Sequence, residues 1–242
     1  MQQGPSTAGE CPKAVAEYNY RATVSNGDNA LDLSKMRLHA IPPRVFEMAD
    51  LEELDLSENK LTELPKDILR LTKLRVLALH GNHLTALPPW IGDLGALEML
   101  DLGYGEFSSL PPEIGKLTRL RYLSLFLVPI RRLPKEFASL EALEELQLGQ
   151  TKLEQFPPEL LALKRLYHLQ IYFTDIRSIP EGVENWKRIC NLTLFANEIK
   201  TIPASLARLP SLQYLDLKNN PLSAEAKRIL ASFPAGVVAQ ER

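Results

Sequence analysis

The segment LEELDLSENKLTELPKDILRLTK, residues 51–73, decides how this chain folds. Leu54 and Leu56 alternate with polar residues, which predicts a short strand with one buried face. Pro65 ends the extended part, and Ile68 and Leu71 supply apolar side chains for the return segment. A unit this small cannot bury its apolar face by itself, so further units must stack against it.

The same pattern recurs every 23 residues along most of the chain. The leucine at position 54 has leucine counterparts at Leu31, Leu77, Leu100, Leu123, Leu146, Leu169, Leu192 and Leu215. A proline keeps the same step from Pro42 to Pro203, and no insertion interrupts the period between Leu31 and Leu217. Equal steps place equivalent side chains in straight columns across neighbouring strands, so the chain is expected to be a repeat solenoid.

The unit LxxLxLxxNxLxxLPxxIxxLxx resembles the leucine-rich repeat, and most of all the 23-residue class of intracellular Ras-group and bacterial leucine-rich-repeat proteins. The resemblance covers residues 28–222. It implies an α/β solenoid, a horseshoe of about nine repeats with a parallel concave sheet. It also implies that the Asn of each unit bonds backbone groups of neighbouring repeats.

The two ends of the chain depart from the repeat pattern, and we expect helical caps there. Residues 11–27 place Ala14, Tyr18 and Ala22 on one helical face, and residues 223–236 begin with Ser223, a good N-cap. The remaining ends, residues 1–10 and 237–242, are predicted to be flexible tails. The nine repeats occupy residues 28–222 between the caps.

The composition argues against binding to nucleic acid or to a membrane. A net charge of −2 and a pI near 6.1 provide no overall attraction to nucleic acid or to an anionic membrane. The first residues, MQQGPSTAGE, lack the basic stretch and apolar core of a secretory signal, and no apolar run is long enough to span a bilayer, so neither a signal nor a membrane span is expected. The two cysteines, Cys11 and Cys190, form no disulfide framework, which favours a reducing compartment. We therefore expect a cytoplasmic protein, or one delivered into a host cytosol if it is a bacterial effector.

Two columns of the predicted sheet carry unusual residues. Charges alternate along the column Glu52, Arg75, Glu98, Arg121 and Glu144. This column is either a ladder of cross-strand ion pairs, which we favour, or a charged docking strip. The Asn column runs through Asn59, Asn82, Asn197 and Asn220, but the central repeats replace Asn by Gly105, Val128, Thr151 and Thr174. Gly and Val cannot supply the side-chain bonds, so the structure must compensate locally.

Apolar and aromatic side chains cluster in the same central repeats, on the face that should meet solvent. We predict that repeats 4–8 bind a protein partner on the concave face through Met99, Tyr104, Tyr122, Phe126, Leu127, Tyr167, His168, Tyr172, Phe173 and Phe195. Arg121, Arg131 and Arg132 are candidate flanking charges. The alternative is that the rings pack only on one another and stabilise the sheet.

Catalysis and metal binding are disfavoured by the sequence. His80 and His83 have no evident third ligand, and a Cys–His pair of Cys190 with His168 near Glu145 lacks an oxyanion site. We therefore expect no enzyme activity, no metal and no cofactor.

The function predicted from the sequence is that of a protein-interaction module. We expect it to be a monomer, with a homodimer through the aromatic patch as the alternative. Two other functions stay open. The chain could be the substrate-recognition part of a larger effector, ubiquitin-ligase or kinase system. By fold analogy, it could also regulate a small GTPase or a phosphatase.

Overall fold

One parallel sheet of ten strands in chain order forms the concave side of the molecule. The structure, a computed structural model, describes residues 29–234 and 237–240. The strands are β1 (Ala30–Asp32), β2 (Glu53–Asp55), β3 (Val76–Ala78), β4 (Met99–Asp101), β5 (Tyr122–Ser124), β6 (Glu145–Gln147), β7 (His168–Gln170), β8 (Asn191–Thr193), β9 (Tyr214–Asp216) and β10 (Val238–Gln240). The parallel solenoid predicted from the period is confirmed.

The register of the sheet follows the sequence period. Leu31 pairs with Leu54, Leu54 with Leu77, and the same step continues to Leu215 at the centre of β9. The central leucines from β2 to β9 are essentially inaccessible to solvent. Because side chains alternate along a strand, the residues on either side of each central leucine point to the concave face.

Short 3₁₀ turns return the chain along the convex side. They span Pro43–Glu47, Lys66–Arg70, Pro89–Asp93, Pro112–Lys116, Lys135–Ser139, Pro158–Ala162, Val183–Asn185 and Ala204–Arg208. Seven of them directly follow the repeat proline, such as Pro65, whose fixed φ suits the extended residue that precedes a turn. Side chains such as Ile68 and Phe137 point inward from these turns and close the core opposite the sheet leucines.

Neighbouring turns on the convex side approach closely at two glycines. A Cβ atom on Gly92 would lie 2.2 Å from the carbonyl oxygen of Glu113, and one on Gly115 would lie 2.3 Å from that of Glu136. Both distances are far shorter than a van der Waals contact, so only glycine fits at these positions.

Each strand leads into a turn through one residue with left-handed backbone geometry. The residues of this left-handed column are Lys35, Glu58, Gly81, Tyr104, Leu127, Gln150, Phe173, Ala196 and Asn219, with φ between 52° and 66°. Glycine and asparagine adopt this conformation at least cost, whereas bulky residues rarely do. Tyr104, Leu127 and Phe173 are therefore unusual occupants.

The Asn column works as the resemblance implies in the repeats that keep Asn. Asn82 accepts the N–H of Leu61 at 3.0 Å and donates to the carbonyl groups of Leu56 and Leu79 at 2.9 Å each. These bonds tie each repeat to the preceding one.

The central repeats replace these bonds in different ways. A Cβ at Gly105 would lie 2.5 Å from the ring of buried Phe107, so this ring occupies the space of the missing side chain. Val128 packs in the core, and its carbonyl oxygen accepts the N–H of Ile130 at 2.8 Å. Thr151 retains one of the bonds, from its hydroxyl to the carbonyl of Leu148 at 2.9 Å.

Helix α1 (Ala224–Leu230) covers the C-terminal part of the core. The Ser223 hydroxyl accepts the N–H of Ala226 at 3.1 Å, and Ala226 is buried. Residues 238–240, predicted to be part of a tail, instead form β10 beside β9. The predicted N-terminal tail and cap lie outside the described residues. Among residues 29–234 and 237–240, no helix has the length and hydropathy needed to cross a membrane.

Candidate functional site

The concave face is a grid of five side-chain columns. Two consist of the outward residues of the strands, represented by Glu53 and Asp55 in β2. One column precedes the strands at Glu52, and two follow them, at Ser57 and at the left-handed residue Glu58. We call these five columns the concave grid.

The column before the strands is a ladder of ion pairs. Arg75 bonds Glu52 at 3.2 Å and Glu98 at 3.0 Å, and Arg121 bonds Glu144 at 2.7 Å. The hydrogen bond from Arg75 lowers the pKa of Glu98, and the hydrogen bond to Glu144 raises the pKa of Arg121. The preferred interpretation of this column, cross-strand pairing, is confirmed.

The aromatic belt, defined as Tyr104, Phe126, Tyr172, Phe173 and Phe195, runs along the two columns that follow the strands. Tyr104 and Phe126 meet edge to face with ring centroids 5.4 Å apart, and Phe126 lies 6.1 Å from Tyr172. Tyr172 stacks on Phe195 at 4.8 Å, and Phe173 meets Phe195 edge to face at 5.2 Å. The five rings form one continuous series across repeats 4–8, and each such contact contributes about 0.5–1.5 kcal/mol beyond area burial.

Gly149 makes this continuity possible. Phe126 and Tyr172 occupy the same column two repeats apart, and Gly149 is the residue between them. A Cβ at Gly149 would lie 2.5 Å from Cζ of Tyr172, so the tyrosine ring lies directly over the glycine. This role was not predicted from the sequence, although a glycine between two aromatic residues of one column was a usable signal.

Two belt residues combine exposure with an unfavourable backbone conformation. Tyr104 and Phe173 are 53% and 55% exposed, and both belong to the left-handed column. A non-glycine residue in this conformation costs on the order of 1–3 kcal/mol, which the rest of the fold must offset. Gly81 and Asn219 show the residues that suit this column. An exposed ring at a strained position is a poor choice for stability alone.

Not all residues predicted to bind a partner are at the surface. Met99, Tyr167 and His168 are buried, which removes their side chains from the accessible concave face. Tyr122 and Leu127 are half-buried, and burial raises the pKa of Tyr122. The belt rings are therefore the part of the predicted set that the fold brings together at the surface.

A polar network explains the burial of Tyr167 and His168. The Tyr167 hydroxyl donates to Glu145 Oε1 at 2.5 Å, and His168 Nδ1 lies 3.8 Å from Glu145 Oε2. Gln170 contacts His168 Nε2 at 3.0 Å. These groups satisfy one another within the sheet, as buried polar groups must.

The predicted flanking arginines are exposed. Arg121 belongs to the ion-pair ladder, and Arg131 bonds Glu154 of the next repeat at 2.8 Å. Arg131 and Arg132 follow the left-handed turn of repeat 5 on its connecting loop. None of the three is buried against a belt ring.

The residues considered for metal binding or catalysis lie in separate pairs. His83 Nδ1 lies 2.7 Å from Glu106, and His80 Nδ1 lies 3.1 Å from Asp101. The described residues contain no group of three or more His, Cys, Asp or Glu side chains that could hold a metal ion. Cys190 is buried and disulfide-bonded, which differs from the expectation of reduced cysteines, and Cys11 lies outside the described residues.

His80 gives the stability of the fold a predictable pH dependence. Burial acts to lower the pKa of His80, but Asp101, with Asp55 and Glu58, outweighs it, so the pKa lies above its usual value of 6.5. A raised pKa means that the folded state binds the proton more tightly than the unfolded state. The resulting stabilisation is fully present below pH 6.5 and is lost as the pH rises through the folded-state pKa.

Asp101→Asn is expected to reduce this dependence, since Asn keeps an oxygen for the N–H of Gly103 but carries no charge. Urea unfolding at pH 5.5 and pH 8.5 should show a larger loss of stability at the lower pH. An NMR titration of His80 should show a lowered pKa in the variant. Equal losses at both pH values would contradict the assignment.

Sequence and structure comparisons identify the family. A family model described as a leucine-rich repeat region matches residues 111–233, and a second leucine-rich-repeat model matches residues 29–84. A probable inactive serine/threonine-protein kinase of Dictyostelium discoideum, roco10, is 40% identical over 55 residues. That match covers 23% of this chain and 2% of the kinase, so the chain spans a small part of that relative.

Two solved structures extend the similarity over most of the chain. A leucine-rich-repeat protein of Leptospira interrogans is 32% identical with a TM-score of 0.72, covering 86% of this chain and 59% of that one. The ectodomain of the Arabidopsis thaliana membrane receptor kinase GASSHO1/SCHENGEN3, in complex with CASPARIAN STRIP INTEGRITY FACTOR 2, is 31% identical with a TM-score of 0.68. It is matched over 76% of this chain and 23% of its own. This chain belongs to the leucine-rich-repeat family.

Proposed function

We propose that the chain is a non-enzymatic module that binds a protein partner on its concave face through the aromatic belt. The observation that carries this proposal is the pair of exposed rings, Tyr104 and Phe173, held at strained left-handed positions within a continuous series of five rings. Leucine-rich-repeat proteins in general offer their concave surfaces to partners. The Arabidopsis receptor ectodomain was solved in complex with CASPARIAN STRIP INTEGRITY FACTOR 2.

The shape of the site supports tight binding without rearrangement. The sheet register is uniform from β1 to β9, so the belt rings are held by the core and lose little conformational freedom when a partner docks. Aromatic anchors that a partner can desolvate dominate the energetics of many protein interfaces. Half-buried Phe126 and Tyr172 would form the centre of the interface, with Tyr104, Phe173 and Phe195 around them.

Removing the central rings tests the proposal. Affinity purification with mass spectrometry is expected to recover a partner with the wild-type chain and to lose it with the Phe126→Ala/Tyr172→Ala variant. The matched control is Gln150→Asn, because Gln150 lies in the left-handed column between the belt residues and is not aromatic. Thermal unfolding of all three proteins separates lost contacts from lost folding. Recovery of the same partner by the folded double variant would refute the proposal.

A second proposal is that the chain recognises substrates for a larger protein or assembly. This proposal is supported by the length of the related proteins, since the chain matches only 59% of the Leptospira protein and 2% of the Dictyostelium kinase. A catalytic domain encoded with this chain, or co-purified through the belt, would favour it. We also propose that the chain is monomeric. Light scattering of wild type and belt variant distinguishes a monomer from a homodimer formed through the rings.

A further inference from the structure

We infer that the partner segment bound by the aromatic belt is an extended, basic polypeptide whose Lys and Arg side chains lie over the exposed rings. This inference rests on the proposed function and adds the chemistry of the partner. Three observations carry it: the charge of the concave grid, the pairing of three of its four cations, and a carboxylate in the turn that carries Tyr104.

The concave grid is more acidic than the chain as a whole. It contains ten Asp or Glu side chains and four Lys or Arg side chains, an excess of six negative charges, whereas the whole chain has a net charge of −2. The carboxylates are Asp32, Glu52, Glu53, Asp55, Glu58, Glu98, Asp101, Glu144, Glu145 and Asp216. Charge of one sign lining a concave surface attracts ligands of the opposite sign and speeds their association.

Three of the four cations of the grid are paired with carboxylates. Lys35 bonds Glu58 at 3.3 Å, and Arg75 and Arg121 belong to the ladder with Glu52, Glu98 and Glu144. In the described strands β1 to β9, the two outward columns contain carboxylates but no Lys or Arg. The fourth cation, Lys218, lies one repeat beyond Phe195, past the end of the aromatic belt. The grid as a whole thus keeps its excess of negative charge.

The belt begins beside one of these carboxylates. Asp101 accepts the N–H of Gly103 at 3.0 Å, and the N–H of Tyr104, the next residue, donates to the backbone carbonyl of Phe126 at 2.7 Å. Tyr104 projects its half-exposed ring from the same turn. Aromatic faces attract Lys and Arg side chains, and a nearby carboxylate adds to this attraction.

Other partners fit the surface less well. An acidic segment would be repelled by the excess negative charge of the grid. A purely apolar segment would cover the rings but would also remove water from Asp101 and its neighbours without supplying a compensating charge. An extended chain is favoured over a compact one because the rings follow a line across repeats 4–8.

Titration with short peptides tests the inference. The probes are capped hexa-arginine and capped hexaglutamate, and the readout is the set of aromatic NMR signals of the intact chain at 50 mM and 500 mM salt. Hexa-arginine is expected to shift the signals of Tyr104 and Phe173 and to bind about tenfold more weakly at high salt. It should also bind about tenfold more weakly to Tyr104→Asn/Phe173→Asn than to Gln150→Asn.

Each contrary result is informative. Equal hexa-arginine binding by both variants would show a general attraction to the acidic grid and overturn the inference, as would no shift of the belt signals or equal binding of hexaglutamate. The proposed function fails separately, if the natural partner is still captured by the folded Phe126→Ala/Tyr172→Ala variant. If belt-dependent capture persists while the captured partner contacts the rings through a segment without Lys or Arg, the function stands and the inference fails.

Discussion

Gly92→Ala is expected to lower the free energy of unfolding by about 2–3 kcal/mol, because the new methyl group has no space. Its carbon would lie 2.2 Å from the carbonyl oxygen of Glu113 and 3.0 Å from the carbonyl carbon. These are backbone atoms of the next 3₁₀ turn, so no side-chain rotation relieves the overlap. The two repeats must move apart, and Gly115→Ala should behave in the same way through Glu136. For a chain of this size the melting temperature should fall by about 5–10 °C.

Gly95→Ala provides the matched control for this prediction. Gly95 lies three residues from Gly92, and a Cβ there would have no heavy atom within 4 Å beyond its neighbours. Alanine is expected to leave stability unchanged or to raise it by about 0.4–1 kcal/mol, since it restricts the unfolded chain. Thermal and urea unfolding of the three variants provide the comparison. Equal stability of Gly92→Ala and Gly95→Ala would disprove close packing of the convex turns.

Tyr104→Asn/Phe173→Asn is expected to weaken partner binding about 100-fold while the free energy of unfolding changes by less than about 1 kcal/mol. Loss of two exposed anchors removes on the order of 3 kcal/mol of binding free energy if both are hot spots. In the folded state the loss of ring contacts is offset by relief of left-handed strain, which Asn tolerates well. The opposite signs of these two terms keep the expected stability change small.

The measurement is the dissociation constant of the purified partner, with urea unfolding of the same samples. Ala196→Asn serves as the control, since Ala196 is another left-handed residue, in the repeat of Phe195, and carries no ring. A loss of stability that matched the loss of binding would favour the structural interpretation, in which the rings mainly hold the sheet together. Unchanged binding would exclude the two rings as anchors.

The 23-residue step was enough to predict the fold because every strand carries the same information. Leu54 and its eight counterparts specify the buried side, and the constant step specifies parallel pairing in register. The ion-pair ladder was also predictable. The sequence period shows which residues lie beside Arg75 on the adjacent strands, and these are its ion-pair partners. Strand β10 was not predictable, because Val238 pairs with Tyr214 at a step of 24 and no repeat pattern precedes it.

The site was only partly predictable because the position of a residue in a column predicts the direction of its side chain but not its exposure to solvent. Met99, Tyr167 and His168 have outward positions in the grid, yet their neighbours cover them. For Tyr167 the cause is a hydrogen bond to Glu145, a residue of the adjacent column in the previous repeat. The belt depends likewise on Gly149, whose missing side chain lets Tyr172 reach toward Phe126. The burial of Tyr167 and the approach of Tyr172 to Phe126 depend on how neighbouring side chains pack, which the residue types within a single column do not reveal.

The uniform register also has an evolutionary consequence. A deletion of 23 residues, for example 143–165, would join Ala142 to Leu166 and restore the same pattern across the junction. It would place Phe126 and Tyr172 on neighbouring strands and remove Gly149 together with its gap. Unequal recombination between repeats can therefore lengthen or shorten the concave face by one strand at a time, about 4.8 Å, while the repeat pattern of the core is preserved.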